Sequence, residues 1–201
     1  DMNRHMSDMY SPALSNQGEF AHRYIIGLYE VLDRVFTPRR HILLESCSSG
    51  GNRFDLGMLC YSPQIWASDD TDPIERLDIQ SGLSYLYPQS TMGAHVSAAP
   101  HQQTLRDTPL STRFNVAAFG VLGYELELKY MTHAELKELR GQIEFYKAHR
   151  RTLQFGRFYR FDERKGNKVH WQVSSRDGKE HIVGHFQKLC TASEGPDALC
   201  V

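Results

Sequence analysis

The sequence predicts an α/β chain: the C-terminal half of a (β/α)8 TIM barrel followed by a small antiparallel β-sheet domain. Three observations lead there. Up to about residue 150, short apolar runs alternate with helix-period stripes, the pattern of parallel strands joined by helical crossovers. After Arg151 the stripes stop, and short β-rich runs separated by turn residues take over. The chain has 201 residues. A closed barrel of this kind takes about 250, so only about four βα units fit ahead of the β-rich end. The expected domains are residues 1–150 as half barrel and 151–201 as part of a C-terminal β-sandwich domain.

The elements follow in order. Residues 1–18 are polar and turn-rich, like a long βα loop. Phe20 to Phe36 reads as a helix, with Phe20, Tyr24, Leu28, Val31, Leu32 and Val35 on one face and Pro38 beyond its end. His41 to Ser46 reads as a short buried strand built on Ile42, Leu43 and Leu44. The segment from Ser48 through Gly50 and Gly51 to Asn52 is a loop whose glycines let backbone approach a ligand. Gln64 to Ala67 is a second strand. A helix from Asp72 to about Tyr87 follows, broken at Tyr87-Pro88, and Met92 to Val96 is a third strand. A polar segment, 101–112, leads into an apolar stretch, Phe114 to Gly123, that periodicity leaves ambiguous. Thr132 and Glu135 form a capping box that opens a helix to about Arg150, striped by Leu136, Leu139, Ile143 and Tyr146. In the β-rich end, turns at Gly166 and Asp177-Gly178 separate the runs, and Trp171 is expected in the core.

Composition narrows the function. The net charge is −1 with ten His counted neutral, which gives no reason to expect nucleic acid or an anionic membrane as partner. No apolar run approaches the ~20 residues of a membrane helix. Asp1 stands where a start Met would, and no basic or apolar leader follows it, so the amino terminus reads as a cut edge and residues 191–201 as a tail. The cysteines Cys47, Cys60, Cys190 and Cys200 show no CxxC spacing, and the His residues show no HExxH. Reduced thiols, a cytoplasmic location and no metal are the expectations.

The densest chemistry lies at Trp66-Ala67-Ser68-Asp69-Asp70-Thr71-Asp72-Pro73. Like charges this close are costly unless something uses or neutralises them, and carboxylates at a strand end facing a helix are how a (β/α) barrel presents catalytic groups. A purely structural account makes Asp72 the N-cap, Pro73 the first helical residue and Glu75 a first-turn acid. That covers Asp72 and Glu75 and leaves Asp69 and Asp70 unexplained. Trp66 either stacks on the apolar face of a ligand such as a sugar ring or packs in the core. In the loop after Cys47, Arg53 either offers a planar fork of donors to a ligand or pairs with Asp55 or Glu45. His95 could line a site at a strand end, and is more simply a hydrogen-bonded packing residue.

Taken together, these segments resemble the α-galactosidases of glycoside hydrolase family 36, in the melibiase clan. Asp1-Met2-Asn3-Arg4 matches the end of that family's Lys-Trp-Asp-Met-Asn-Arg motif. Cys47 to Asp55 matches its Cys-x-x-Gly-x-x-Arg block, and Trp66 to Asp72 its Trp-x-Ser-Asp-Asn/Asp-Thr-Asp block. Tyr87-Pro88, Met92 to Ser97 and Phe119 to Leu126 also match, so the likeness covers roughly residues 1–190.

The resemblance implies a catalytic barrel preceded by a β-sandwich and followed by a small sheet. It implies retaining hydrolysis of terminal α-D-galactosyl residues in melibiose- or raffinose-type sugars by two Asp residues, with no cofactor. Asp1 then corresponds to the nucleophile and Asp69 to the general acid/base. Asn3, Cys47, Gly50, Arg53 and Trp66 lie next to the sugar, and Asp70 and Asp72 support the site. Retention needs the two carboxyls about 5–5.5 Å apart. Asp69 is expected to hold a raised pKa through repulsion from neighbouring carboxylates and burial against Trp66. The family's preceding Lys-Trp and earlier strands are absent from the 201 residues, so this piece alone is expected to be inactive. The whole protein is expected to be a homo-oligomer, a tetramer being one form. A raffinose- or stachyose-synthase-like transferase and a non-catalytic galactose-binding remnant are the alternatives.

Overall fold

A computed structural model of the chain describes residues 7–47, 53–162, 166–189 and 192–193. Parallel strands alternate with helices, and a separate antiparallel sheet follows. The chain divides into two compact units after Trp66.

In the first unit a 3₁₀ turn, Gln17–Glu19, opens on Asn16, whose side chain accepts the Gly18 N–H, and runs into α1, Phe20–Phe36. The helix has the predicted bounds, but its buried stripe is offset from the predicted face. Leu32 is buried, with Leu28, Tyr29 and Phe36 packed around it against Met58 and Ile65, while Tyr24, Val31 and Val35 are exposed. Two adjacent apolar rows exist on α1, and the row one helical turn apart at 28, 32 and 36, with Tyr29 beside it, faces this core.

The strand expected over 41–46 shrinks to β1, Glu45–Ser46, and Ile42 and Leu43 are exposed. Ser62 explains where pairing starts. Its hydroxyl oxygen, fully buried, accepts the Ser46 N–H at 2.7 Å and lies 2.8 Å from the Leu44 carbonyl. A side chain thus satisfies the backbone at the point where a ladder would begin. A short helix not foreseen from the sequence, α2 (Leu56–Leu59), is capped by Asp55, which accepts the Met58 N–H at 2.9 Å. It leads to β2, Gln64–Trp66, which pairs in parallel with β1 through Glu45 opposite Gln64 and Ser46 opposite Ile65.

The second unit starts with α3, Pro73–Leu83, whose buried residues Pro73, Arg76, Leu77 and Gln80 fall at helical spacing. It is shorter than predicted because Ser84 to Tyr87 close it in a turn. β3, Met92–Ser97, follows. The ambiguous apolar stretch resolves into α4, Leu110–Ala117, and β4, Val121–Glu125, parallel to β3 with Gly93 opposite Val121 and Ser97 opposite Glu125. Gly120 turns the chain between them, where a Cβ would stand 2.9 Å from the Met92 carbonyl oxygen.

The capping box is present as predicted: Thr132 and Glu135 open α5, His133–Phe155. On α5 the Tyr146 hydroxyl donates to the Gly120 carbonyl at 2.8 Å and accepts the Leu122 N–H at 3.1 Å, fixing helix to strand. The antiparallel sheet is β5, Arg157–Asp162, β6, Lys168–Ser174, and β7, His181–Gln187, with β6 central. Trp171, fully buried as expected, packs against Phe119, Phe158 and Phe186 and donates its indole N–H to Ser81 Oγ on α3 at 3.1 Å. One apolar core therefore runs from Val96 on β3 to Val173 on β6.

Candidate active site

Asp69 to Asp72 form the turn into α3, and the three carboxylates have different surroundings. Asp72 is the helix cap: Oδ1 accepts the Ile74 N–H at 2.8 Å, Oδ2 accepts the Thr104 hydroxyl, and Arg106 Nη1 lies 2.6 Å from Oδ1. The Asp72 side chain has no solvent exposure. Burial pushes this carboxyl up. Hydrogen bonds from Thr104 and the Ile74 N–H, with the Arg106 guanidinium paired to it, outweigh burial and hold it below the ordinary carboxylate range. The same pairing raises Arg106.

Asp70 stabilises the turn one step earlier. Its Oδ1 accepts the Asp72 N–H at 3.0 Å, and its own N–H donates to Ser68 Oγ at 3.1 Å. Thr71 is buried and anchors the turn sideways, its hydroxyl 2.8 Å from Ser97 Oγ at the end of β3 and 3.0 Å from His101 Nε2. His101 Nδ1 accepts backbone N–H groups from Gln103 and Thr104 at 3.4 and 3.3 Å. That assigns the Nε2–H tautomer, which donates to Thr71, and Thr71 in turn donates to Ser97.

Asp69, at the apex of this turn, is exposed. The expected burial of Asp69 is thus corrected. The turn spends its buried volume on Thr71 and Asp72, and the first carboxylate is the one left facing outward.

Beneath the turn lies Arg76, 2% exposed. Its guanidinium donates to the carbonyls of Ser68 at 2.5 Å, Asp70 at 2.6 Å and Gly93 at 3.0 Å. Burial lowers its pKa to about 10, against the opposing pull of the Asp70, Glu125 and Asp69 charges, so it remains a cation at neutral pH.

His95 on β3 has the hydrogen bond expected of it, Nδ1 lying 2.9 Å from Glu125 Oε1. Its ring fills the space where a Cβ at Gly123, its register partner on β4, would stand.

In the first unit Cys47 is half-buried and its carbonyl is 3.5 Å from Arg53 Nη1. Arg53 is exposed, and the two carboxylates named as its alternative partners are engaged elsewhere. Asp55 caps α2, and Glu45 accepts Gln64 Nε2 at 2.7 Å. Trp66 is buried at the end of β2. The structure thus joins Asp69, Asp70 and Asp72 in one turn and brings Arg53 to the Cys47 carbonyl; Asp1, Asn3 and Gly50 lie outside the described residues.

Sequence reasoning missed Arg76, His101, Thr104 and Arg106. Arg76 had a signal: a cation on the buried stripe of a helix, where Leu77 stands beside it. The other three are set by contacts across some thirty residues, which no local pattern displays.

The family model described as Melibiase matches residues 1–156. The chain is 49% identical over 196 residues to the α-galactosidase AgaA of Geobacillus stearothermophilus, covering 96% of this chain and 27% of that protein. The crystal structure of an α-galactosidase from Lactobacillus brevis superposes with a TM-score of 0.93 at 49% identity, covering 96% of this chain and 27% of that one. A variant of AgaA crystallised in complex with raffinose gives a TM-score of 0.92 at 47% identity, over the same shares of the two chains. The chain thus spans about a quarter of the length of the relatives it matches.

Proposed function

The chain belongs to the melibiase family, and from that premise we propose that it carries part of the catalytic centre of an α-galactosidase acting on raffinose-type sugars. Its relatives are named α-galactosidases, and one of them has been crystallised with raffinose.

A single observation carries the assignment of the acid/base. Of three carboxylates within four residues, Asp72 is buried on Ile74, Thr104 and Arg106, Asp70 is half-buried with Oδ1 on the Asp72 N–H, and Asp69 is the exposed one at the apex. A proton donor to a leaving sugar must reach that sugar's oxygen, and two braced neighbours hold the third in a fixed place. In the proposed mechanism Asp1 attacks the anomeric carbon and Asp69 protonates the departing oxygen. A covalent galactosyl-enzyme results. Asp69, now ionised, then takes a proton from water as it hydrolyses the intermediate. Arg53 is proposed to donate to sugar hydroxyls, with Asn3, Cys47, Gly50 and Trp66 around the ring. The half barrel is proposed as residues 1–150, with 151–201 in a C-terminal β domain.

The test uses the complete natural polypeptide. It is expected to release galactose from raffinose, and proton NMR during turnover of an aryl α-galactoside should show α-galactose first. Asp1→Asn should abolish turnover. Initial release of β-galactose would rule out double displacement, and full activity in Asp1→Asn would remove the nucleophile.

A further inference from the structure

We infer that Arg76 is a positioning residue for the acid/base step: by holding the Ser68 and Asp70 carbonyls it fixes the backbone on both sides of Asp69. This rests on the reading of Asp69 as acid/base given above.

The carbonyls of Ser68 and Asp70 flank Asp69 directly in the chain, and Arg76 Nη2 and Nε reach them at 2.5 and 2.6 Å. The third bond, from Nη1 to the Gly93 carbonyl at 3.0 Å, ties the same guanidinium to β3. A planar fork with donors in fixed directions is suited to clamp carbonyls that face one centre; an ammonium on a flexible stem is not. Nearly full burial makes the clamp expensive to leave unmade on either side. The side chain rises from the second turn of α3, whose first turn is locked by Asp72, Thr104 and Arg106. The anchor therefore belongs to a rigid element. A buried arginine that merely stabilised α3 could satisfy its donors on any nearby carbonyls. Here two of its bonds straddle the exposed carboxylate of the turn.

The consequence differs from simple loss of stability. A displaced acid matters most when the leaving group needs a proton and least when it departs unaided. In the complete polypeptide, kcat/KM is compared for melibiose and for dinitrophenyl α-galactoside in wild type, Arg76→Lys, Arg76→Gln and Asp69→Asn. Arg76→Lys should lose about 30-fold or more on melibiose and about threefold or less on the aryl substrate, a fraction of the range that general acids supply. Asp69→Asn should show the same split, more strongly.

Equal losses on both substrates for the Arg76 variants, with the split intact in Asp69→Asn, would overturn this inference alone. No split in Asp69→Asn would overturn the acid/base reading itself. Circular dichroism checks that the variants are folded. Failure of both Arg76 variants to accumulate as folded enzyme would make Arg76 a folding residue and equally overturn the inference.

Discussion

Arg106 Nη1 lies 2.6 Å from Oδ1 of Asp72, and the ion pair bolts the polar segment after β3 onto the cap of α3. Only one partner is fully buried: the Arg106 side chain is 38% exposed, that of Asp72 not at all. The attraction therefore counts chiefly as compensation for a desolvated carboxylate.

That geometry sets a pH dependence. The Asp72 carboxyl is held below its ordinary value in the folded chain, so its ionised form contributes stability at and above the unfolded value of about 3.9. The contribution fades as pH falls through the lower folded value. Asp72→Asn keeps a cap acceptor for Ile74 but loses the charge facing Arg106. Urea unfolding should place it about 2 kcal/mol below wild type at pH 7, the scale of a lost charge-assisted bond, with the gap narrowing toward pH 3. A gap of constant size would refute the electrostatic account.

Two glycines near each other in sequence should respond with opposite sign. Gly156, where α5 turns into β5, has room for no Cβ: one would stand 2.5 Å from the Thr152 carbonyl oxygen and 2.6 Å from that of Ser174. Both obstacles are backbone, so Gly156→Ala should destabilise by about 1–3 kcal/mol. Gly141, inside α5, meets nothing within 4 Å, and Gly141→Ala should gain about 0.5–1 kcal/mol from helix propensity. Thermal unfolding of the two variants reads both; a loss in Gly141→Ala would mean that its open space is filled by something else.

These cases also show how far the sequence speaks for itself. Asp72, Pro73 and the Thr132–Glu135 box act on backbone groups within three residues, so spacing alone identifies the starts of α3 and α5. The same holds for the periodicity that bounded α1. Which row of α1 is buried depends on Met58 and Ile65, residues from elsewhere in the chain, and the apolar run at 42–44 carried no sign that Ser62 would take over its backbone partners. At the candidate site the chemistry was legible as a crowd of carboxylates. The division of labour among them was not, because it is made by Arg76 from below and by Thr104 and Arg106 from the side.

Trp171 joins the antiparallel sheet to α3. Its ring lies 5.3 Å from that of Phe119 and 5.1 Å from that of Phe186, and the indole N–H reaches Ser81. Trp171→Ala should cost about 3–5 kcal/mol. Ser81→Ala, which removes only the acceptor, should cost about 1–3 kcal/mol. Chemical denaturation followed by tryptophan fluorescence measures the second variant directly. A neutral Ser81→Ala would mean that the N–H finds another acceptor.

The last prediction separates Asp69 from Asp70, which adjoin in sequence and differ in exposure. The Asp70 carboxylate accepts the Asp72 N–H through Oδ1, a bond that an amide oxygen can also accept. Asp70→Asn should therefore keep the turn and lose less than about tenfold in kcat/KM on raffinose. Asp69→Asn removes the outward acid and should lose about 10²–10⁴-fold, the range that general acid catalysis supplies. Because both substitutions remove one negative charge from the same turn, a general electrostatic effect would lower both rates alike. Comparable losses would show that the crowd acts through its summed charge, and a larger loss at Asp70 would transfer the acid/base role to the neighbour.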